Sequence, residues 1–504
     1  MLVGSYTPAN LAAHRASFAS PAFSPRDSFV ASRPGLAMFH PAGRNHQRNR
    51  LERLSEKAME DRGLEPGFSS QALAEVIGRP ATDRDPKIRD LGALPWMATD
   101  NRGTSNAEQL TVAERLDNGS IRVRVAVSDV DAAVPRDGAL DSRARNNGKA
   151  AYTQGRNFPM FPWELLDQTS FQKNQERLSV VTEFVVGKDG SVESFDCYRA
   201  RVVNHGQLQY SQVENWLNGT FPHHQTGAQM ELQAEAASRL RGRRQANELV
   251  GMSDGSRPAR DMIEELMVTA GESTIDFLQA KGYPVLFQSL GQPARWDRLV
   301  TLAQRNGGGL PAEPSPGALK KYLGQAKGRL SRDDYAELSI SVEKILGRTH
   351  LAVKAPAQDF PQDYRLAEEQ TTRATSPSRD YGALTVQRLI KAACDGQAPP
   401  DVKELEQLAA HLNRRVDDIA KVERQMYKCK DAMAMSSRVG QTFDATVTGA
   451  AEKGTWVRLA GMKVEGKLVQ GNFNGLDIGD RVKVKLKRVD AEAGHVDFEV
   501  LKGR

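Results

Sequence analysis

The segment "LTVAERLDNGSIRVRVAVSDVDA" (110–132) constrains the fold more than any other stretch of the chain. Two runs of alternating apolar and polar residues flank Asn118-Gly119. Both turn residues tolerate positive φ, and period-two alternation is what a strand with one buried face requires. The stretch "RLSVVTEFVVGKDGSVESFDCYRARVV" (177–203) repeats the plan around Lys188-Asp189-Gly190. An antiparallel sheet is therefore expected. A two-residue turn at Asn118-Gly119 predicts that Leu116 faces Ile121, Val112 faces Val125 and Leu110 faces Val127. Extended outward, it sets Glu108 opposite Asp129 and Asn106 opposite Asp131, all continuing a core-directed face. Carboxylates facing each other there are costly, and a divalent cation would resolve the conflict. Asp100, in "TDNRGTSNAEQL" (99–110), could loop back to complete such a site. The plainer alternative is a hairpin that frays before residue 108 and ends in solvent.

At 504 residues the chain is long for one core, so several domains are expected. Residues 1–45 read as irregular, with the first 35 rich in Ser, Ala, Pro and Arg. That composition fits a flexible tail or an organellar transit peptide. Residues 46–85 carry two helical patterns, striped by Leu51, Leu54 and Met59, then by Leu73, Val76 and Ile77. They fit a helix-turn-helix or winged-helix unit that binds nucleic acid, or a hairpin used only for packing. Residues 86–436 are mixed α/β, with helical patterns at "RDMIEELMVTAGESTIDFLQAKG", "DYAELSISVEKILG", "ALTVQRLIKAAC" and "VKELEQLAAHLNRRVDDIAKVERQMYKCKDAMAM". Residues 437–504 contain about five short strands separated by Gly, Asn and Asp turns, the plan of a five-stranded barrel. The fold class is thus a multidomain α/β (α+β) core with an N-terminal helical unit and a C-terminal OB-type barrel.

A net charge of +6 is compatible with a polyanionic partner. No apolar run is long enough to span a bilayer, so no membrane partner is expected. Cys197, Cys394 and Cys429 are far apart and fit no metal-ligand spacing, which argues for a cytoplasmic protein without a disulfide scaffold. A monomer is expected.

An ordered series of motifs then points further: "DLGALPWMATD" (90–100), "VAVSDVD" (125–131), "FPMFPWELL" (158–166), "GQLQYSQVENWL" (206–217), "MIEELM" (262–267) and "TSPSRDYGALTVQRLIKA" (375–392). In these residues the chain resembles the ribonuclease II (RNB) family of processive 3′→5′ exoribonucleases, over most of its length. The resemblance implies hydrolysis of single-stranded RNA from its 3′ end to nucleoside 5′-monophosphates, with one or two Mg²⁺ ions, or Mn²⁺ in their place. It puts the family's four metal-site aspartates at Asp100, Asn106, Glu108 and Gln109, so two of the four are amides here. Asp129, opposite Glu108 in the expected hairpin, would restore one charge. Arg379 corresponds to the catalytic arginine, a guanidinium suited to forking onto a phosphate.

The same resemblance implies that Tyr152 stacks on the 3′-terminal base, or else is a core tyrosine. It gives Tyr210 and Glu264 to the ribose, and Glu423 to the surroundings of the active centre. The C-terminal barrel resembles an S1-type RNA-binding domain. There Trp456 either stacks a base or fills the core, with Lys453, Arg458 and Lys467 along a phosphate track. The family usually opens with two cold-shock-type barrels, for which the first 85 residues are too few and too helical. A basic helical unit is expected in their place, admitting structured RNA. Two other classes compete with this reading. A catalytically weakened or inactive RNA-binding member is motivated by the two lost carboxylates. A DNA-binding regulator built on the N-terminal helices leaves the α/β region unexplained.

Overall fold

The structure, a computed structural model, describes residues 42–76, 85–104, 106–219, 225–247, 257–361, 363–364, 370–451, 454–471, 475–476 and 480–501. The expected N-terminal tail thus lies almost wholly outside the described residues. In chain order, α1 (Ala42–Glu60) and α2 (Ser70–Val76) precede β1 (Arg89–Asp90), β2 (Met97–Asp100), β3 (Gln109–Arg115) and β4 (Ile121–Ser128). Helix α3 (Ala139–Asn147), the ribbon β5 (Ala151–Tyr152) and β6 (Asn157–Phe158), and α4 (Trp163–Thr169) lead to β7 (Glu176–Val186), β8 (Val192–Val203) and β9 (Gly206–Gln209). Then come α5 (Tyr210–Leu217), α6 (Gln225–Asn247), α7 (Pro258–Ala280), β10 (Val285–Ser289), α8 (Trp296–Arg305), α9 (Pro316–Arg329) and α10 (Arg332–Leu346). Strand β11 (His350–Lys354), α11 (Tyr381–Cys394) and the unbroken helix α12 (Val402–Met435) precede β12 (Thr442–Ala451), β13 (Gly454–Leu459), β14 (Glu465–Gln470), β15 (Arg481–Asp490) and β16 (His495–Val500). The chain forms two units that interleave in sequence. Among the described residues one contains Glu75–Gly138 and Trp163–Asn413, the other 42–74, Ala139–Pro162 and residues from Arg414 onward.

The first unit is built on a seven-stranded sheet in the order β1-β8-β7-β4-β3-β2-β9. Alternation divides its side chains between two cores. Met97, Ala113, Val123, Val125 and Val127 pack on one side with Met262, Ile263 and Leu266 of α7 and Met230 and Ala237 of α6. Ala98, Leu110, Val112, Ala126 and Val181 form the other core with Trp96 and Phe171. Both expected hairpins are present, but the first turns differently. Arg115 pairs with Ile121 and Gln109 with Val127, one residue away from the two-residue-turn register. The loop has three residues, closed by Leu116 N–H to the Ser120 carbonyl (2.9 Å), with Gly119 left-handed at φ +84°. This is a type I turn ending in a glycine bulge, a geometry that Asn-Gly serves as readily as the tighter one. The second hairpin closes the same way, with Gly190 at φ +81°. A one-residue shift changes every partner. Glu108 therefore lies across from Ser128, whose N–H donates to its carbonyl (3.0 Å), and not from Asp129.

Helix α11 docks on the end of β4 through charge. Lys391 Nζ sits 2.9 Å from Asp129 Oδ1 and 2.8 Å from Asp131 Oδ2. Arg388 Nε lies 2.6 Å from Asp131 Oδ1, and Arg199 approaches Asp129 at 3.6 Å. Gln387 donates to the Ser128 carbonyl (2.8 Å) and accepts from the Asp131 N–H (3.2 Å). Burial raises the cost of charging Asp131, but Lys391 and Arg388 outweigh it and hold the carboxyl below its ordinary range. Elsewhere in this unit α8, α9 and α10 gather around Trp296, Leu319, Tyr322 and Val342. Of the three, only α10 was expected.

In the second unit, Leu51, Ala58 and Met59 of α1 share a core with Ile419, Val422, Met426 and Cys429 of α12 and Ala151 and Phe158 of the ribbon. Gly155 lets α1 approach, since a Cβ there would stand 2.4 Å from the Leu51 carbonyl. The break between α1 and α2 wraps a buried arginine. Arg143 donates to the carbonyls of Gly67, Glu65 (2.9 Å) and Met160 (3.0 Å). In α2 the buried positions are Ala72 and Val76, whereas Leu73 is 45% exposed, contrary to the expected stripe. Ile77 lies outside the described residues. The C-terminal strands close as a barrel, β12-β13-β14-β16-β15, around Val447, Val457, Leu468, Val484, Leu486 and Phe498. No helix among the described residues is long and apolar enough to cross a membrane.

Removing one partner from a buried ion pair leaves the other charge uncompensated. Lys391→Met is expected to cost about 3–5 kcal/mol of stability in urea unfolding, with Lys391→Arg retaining most of it. An unchanged midpoint for Lys391→Met would mean that the network does not hold α11.

Candidate active site

The site begins where β2 and β3 part. Their recorded pair is Met97 with Thr111, and β2 also runs parallel to β9 with Asp100 beside Gln209. Met97 packs toward the helices and Ala98 on the opposite core, so alternation carries Asp100 to the Ala98 side. Leu110 belongs to that same side, and Glu108, two residues before it, follows. The two carboxylates therefore share one face.

The second wall comes from "TSPSRDY" (375–381). The Ser376 carbonyl accepts from the N–H groups of Arg379 (3.1 Å) and Asp380 (3.0 Å). Asp380 caps α11, accepting from Gly382 N–H at 2.8 Å. The turn before the helix is thus fixed, and with it two side chains aimed at Glu108. Buried Ser378 donates its hydroxyl to Glu108 Oε1, and Arg379 Nε lies 3.1 and 3.2 Å from the two carboxylate oxygens. Gln109 ties β3 to the same segment by donating its amide to the Thr375 carbonyl.

Asp100 is pushed up to about 7, by burial first and by Glu108 as well, against the opposing pull of Arg379, the Asn101 N–H and Arg260. Tyr210, the residue after Gln209, feels Asp100, Arg260, Arg379 and Glu264, and burial above all pushes its hydroxyl up to about 12. Glu264 of α7 is pushed up to about 7 by burial, Asp261 and Glu265. The structure thus brings Asp100, Glu108, Arg379, Tyr210 and Glu264 into one electrostatic neighbourhood.

Do these residues fit a hard divalent cation? Among the described residues no three His, Cys, Asp or Glu side chains converge as a metal-binding group. A third oxygen must come from an amide. Asn106 is buried, and neither its oxygen nor its nitrogen has a hydrogen-bond partner among the described residues. Such an orphaned group is costly unless something else satisfies it. Two neighbouring carboxylates, one reluctant to ionise, and an unsatisfied amide two positions before Glu108 in the chain are donor types that suit Mg²⁺ or Mn²⁺. Gln109 is committed through its nitrogen to Thr375. Asp129 does not serve as expected: it does not face Glu108, and it is paired with Lys391 and Arg199.

The remaining expected residues lie in the second unit. The Tyr152 N–H donates to Glu423 Oε1 at 2.9 Å, so the ribbon and α12 bring these two together. In the barrel, Val457 and Leu459 point inward, while half-buried Trp456 and exposed Arg458 do not. Trp456 is therefore not a core residue. Lys467 pairs with it across the strands, its Nζ 5.7 Å from the ring. Lys453 lies outside the described residues. Sequence reasoning missed Ser378 and Arg260. Ser378 stood in a quoted motif beside Arg379, and Arg260 lies one helical turn before Glu264, so both had a local signal.

Known proteins resemble this chain over most of its length. A profile described as the RNB domain matches residues 88–396, and one described as the RNase II-type exonuclease C-terminal S1 domain matches 441–501. Ribonuclease R of Thermotoga maritima is 23% identical over 494 residues, covering 86% of this chain and 68% of that protein. Exoribonuclease 2 of Vibrio cholerae is 26% identical over 366 residues, covering 65% of this chain and 52% of the relative. Among solved structures, Mycoplasma genitalium RNase R in complex with ribose-methylated single-stranded RNA aligns with a TM-score of 0.75 at 18% identity, covering 89% of this chain and 77% of the other. Yeast Ssd1, described as a pseudonuclease, aligns at 0.65 with 16% identity, covering 86% and 57%.

Asp100 takes up a proton more readily in the fold than its ordinary 3.8 would allow. Its contribution to stability is therefore full below pH 4 and falls as pH rises toward 7. Asp100→Asn removes that slope. In chelator the variant is expected to be more stable than the parent by roughly 1–3 kcal/mol at pH 8, and little different at pH 4, in thermal or urea unfolding. Parallel pH profiles for the two proteins would refute the buried-carboxyl account.

Proposed function

We propose a catalytic reading from an established premise: the chain belongs to the RNB family. On this reading it is a 3′→5′ exoribonuclease that shortens single-stranded RNA processively and releases nucleoside 5′-monophosphates. The observation that carries it is the meeting of Glu108 with Arg379, 271 residues apart in sequence, beside Asp100, with orphaned Asn106 two positions before Glu108 in the chain.

Asp100, Glu108 and Asn106 would hold Mg²⁺, or Mn²⁺ in its place. When bound, the ion supplies an activated water and neutralises charge on the phosphoryl oxygens. The protein's own groups do the rest. Ser378 and Arg379 orient the Glu108 carboxylate, and the Arg379 guanidinium meets the scissile phosphate as its charge develops. Tyr210 and Glu264 hold the ribose. Poised near neutrality, the Glu264 carboxyl can exchange a hydrogen bond with a 2′-hydroxyl, a basis for preferring RNA. Tyr152 stacks on the terminal base, and Glu423 fixes its backbone. On the barrel, Trp456 offers a face to another base while Arg458 and Lys467 meet phosphates. We read residues 46–85 as a helical nucleic-acid-binding domain, 86–436 as catalytic and 437–504 as RNA-binding. The chain acts on this view as a cytoplasmic monomer.

A second reading is a catalytically weakened or inactive RNA-binding member. It is favoured by one specific feature: Ser378 and Arg379 already engage Glu108, so the charge left for a cation rests chiefly on Asp100.

End-labelled single-stranded RNA separates the two. With Mg²⁺ the parent is expected to shorten the substrate from its 3′ end, and chelator to stop it. Arg379→Lys should slow the reaction roughly 10²–10³-fold, as loss of a transition-state donor does. Asp100→Asn and Glu108→Gln should abolish it. RNA bound but never shortened, at any Mg²⁺ or Mn²⁺ concentration, would favour the non-catalytic reading.

A further inference from the structure

A cation that the mechanism leaves unused stands beside the acidic pair. Arg260 lies in the first turn of α7, just after Pro258. Its guanidinium carbon is 4.4 Å from the centre of the Tyr210 ring. One Nη donates to the Asn101 side-chain oxygen, next to Asp100 in the chain. Among the described residues its other N–H groups have no hydrogen-bond acceptor and no carboxylate pairs with it. That is unusual in this neighbourhood. Arg379 is paired with Glu108, Arg373 with Asp380 and Arg388 with Asp131. Arg260 is half-buried, and its charge is felt by both Asp100 and Tyr210.

The geometry constrains what such a group can do. The Tyr210 ring against the guanidinium and the bond to Asn101 hold the group from two sides. Rigid planarity with an unoccupied edge is the form in which arginine recognises an oxyanion bidentately. The ligand of this site must bring phosphate toward two carboxylates. Arg379 is paired with Glu108 and also acts on Asp100, and Arg260 adds a second, smaller positive contribution on the Asp100 side that no carboxylate among the described residues pairs.

We propose that Arg260 is a phosphate-binding residue of the substrate channel, held by Tyr210 and Asn101 to receive a backbone phosphate of the bound strand on the Asp100 side. The assignment rests on RNA being the ligand, as in the reading above, but not on catalysis.

The test measures binding alone. A 5′-labelled oligouridylate of about 12 nucleotides is titrated in chelator with parent, Arg260→Gln and Arg260→Lys over a range of salt concentrations. Each phosphate contact to a single strand contributes about 0.7 to the slope of log affinity against log salt. Arg260→Gln should bind more weakly, with a slope shallower by about 0.7, and Arg260→Lys should keep the slope while losing several-fold in affinity. Weaker binding at an unchanged slope would reduce Arg260 to a support for Tyr210 and overturn the proposal. So would unchanged affinity. Thermal melts identify a Gln variant that does not fold. In that case Arg260→Lys decides alone: parental affinity overturns the guanidinium fork, and reduced affinity at the parental slope supports it. A parent that binds no RNA at low salt overturns both this proposal and the functional reading. RNA bound in chelator but not cleaved with Mg²⁺ overturns catalysis alone.

Discussion

Lys391, clamped between Asp129 and Asp131, is the interaction on which the first unit's chemistry rests. It joins positions 262 residues apart and sets where α11 lies on the sheet. The cap of that helix carries Ser378 and Arg379, so the docking of its middle decides what its start can reach. A buried ion pair is weak evidence for net stability but a strong determinant of register, because misplacing the helix by one turn strands charges in the interior. The hydrogen bonds of Gln387 to the end of β4 act in the same sense. Glu108 then receives both donors from a segment with little freedom to move.

The site that results is short of negative charge. Two carboxylates and two amides stand where the family resemblance implies four carboxylates, and one of the two acids is already neutralised by an arginine. The amides have different fates. Asn106 is buried without a partner among the described residues, whereas Gln109 serves as a tether. What looks in sequence like two equivalent losses is, in space, one amide left without a partner and one structural crosslink.

The parts of the molecule written in local periodicity were legible in the chain. Both hairpins, the five barrel strands, α7, α10, α11 and α12 follow from alternation, helical spacing and turn residues acting within a dozen positions. The hairpin register was not, because Asn-Gly serves a two-residue turn and a bulged three-residue loop alike, and only the conformation of residue 117 onward distinguishes them. That single ambiguity misassigned Asp129. The contact of Ser378 with Glu108 and the pairing of Asp129 with Lys391 join positions more than 250 residues apart, and although Ser378 and Arg260 stood beside quoted motifs, one sequence holds no direct signal of what such residues meet. Helices α8 and α9 lie around Gly- and Pro-rich stretches that masked their apolar stripes.

The two glycine-bulged loops have a consequence for how such a chain can change over generations. Surface loops ordinarily absorb insertions and deletions at little cost. The loop at Gly119 can do so only if the pairing of β3 with β4 is kept. Since strand side chains alternate, a change of length taken up by a one-residue slip of β3 would turn Glu108 away from Arg379. Length variation in this part of the molecule is therefore expected inside the loop and not in the strands, and at position 118 it must keep or replace the side-chain oxygen that accepts from Ser120 N–H.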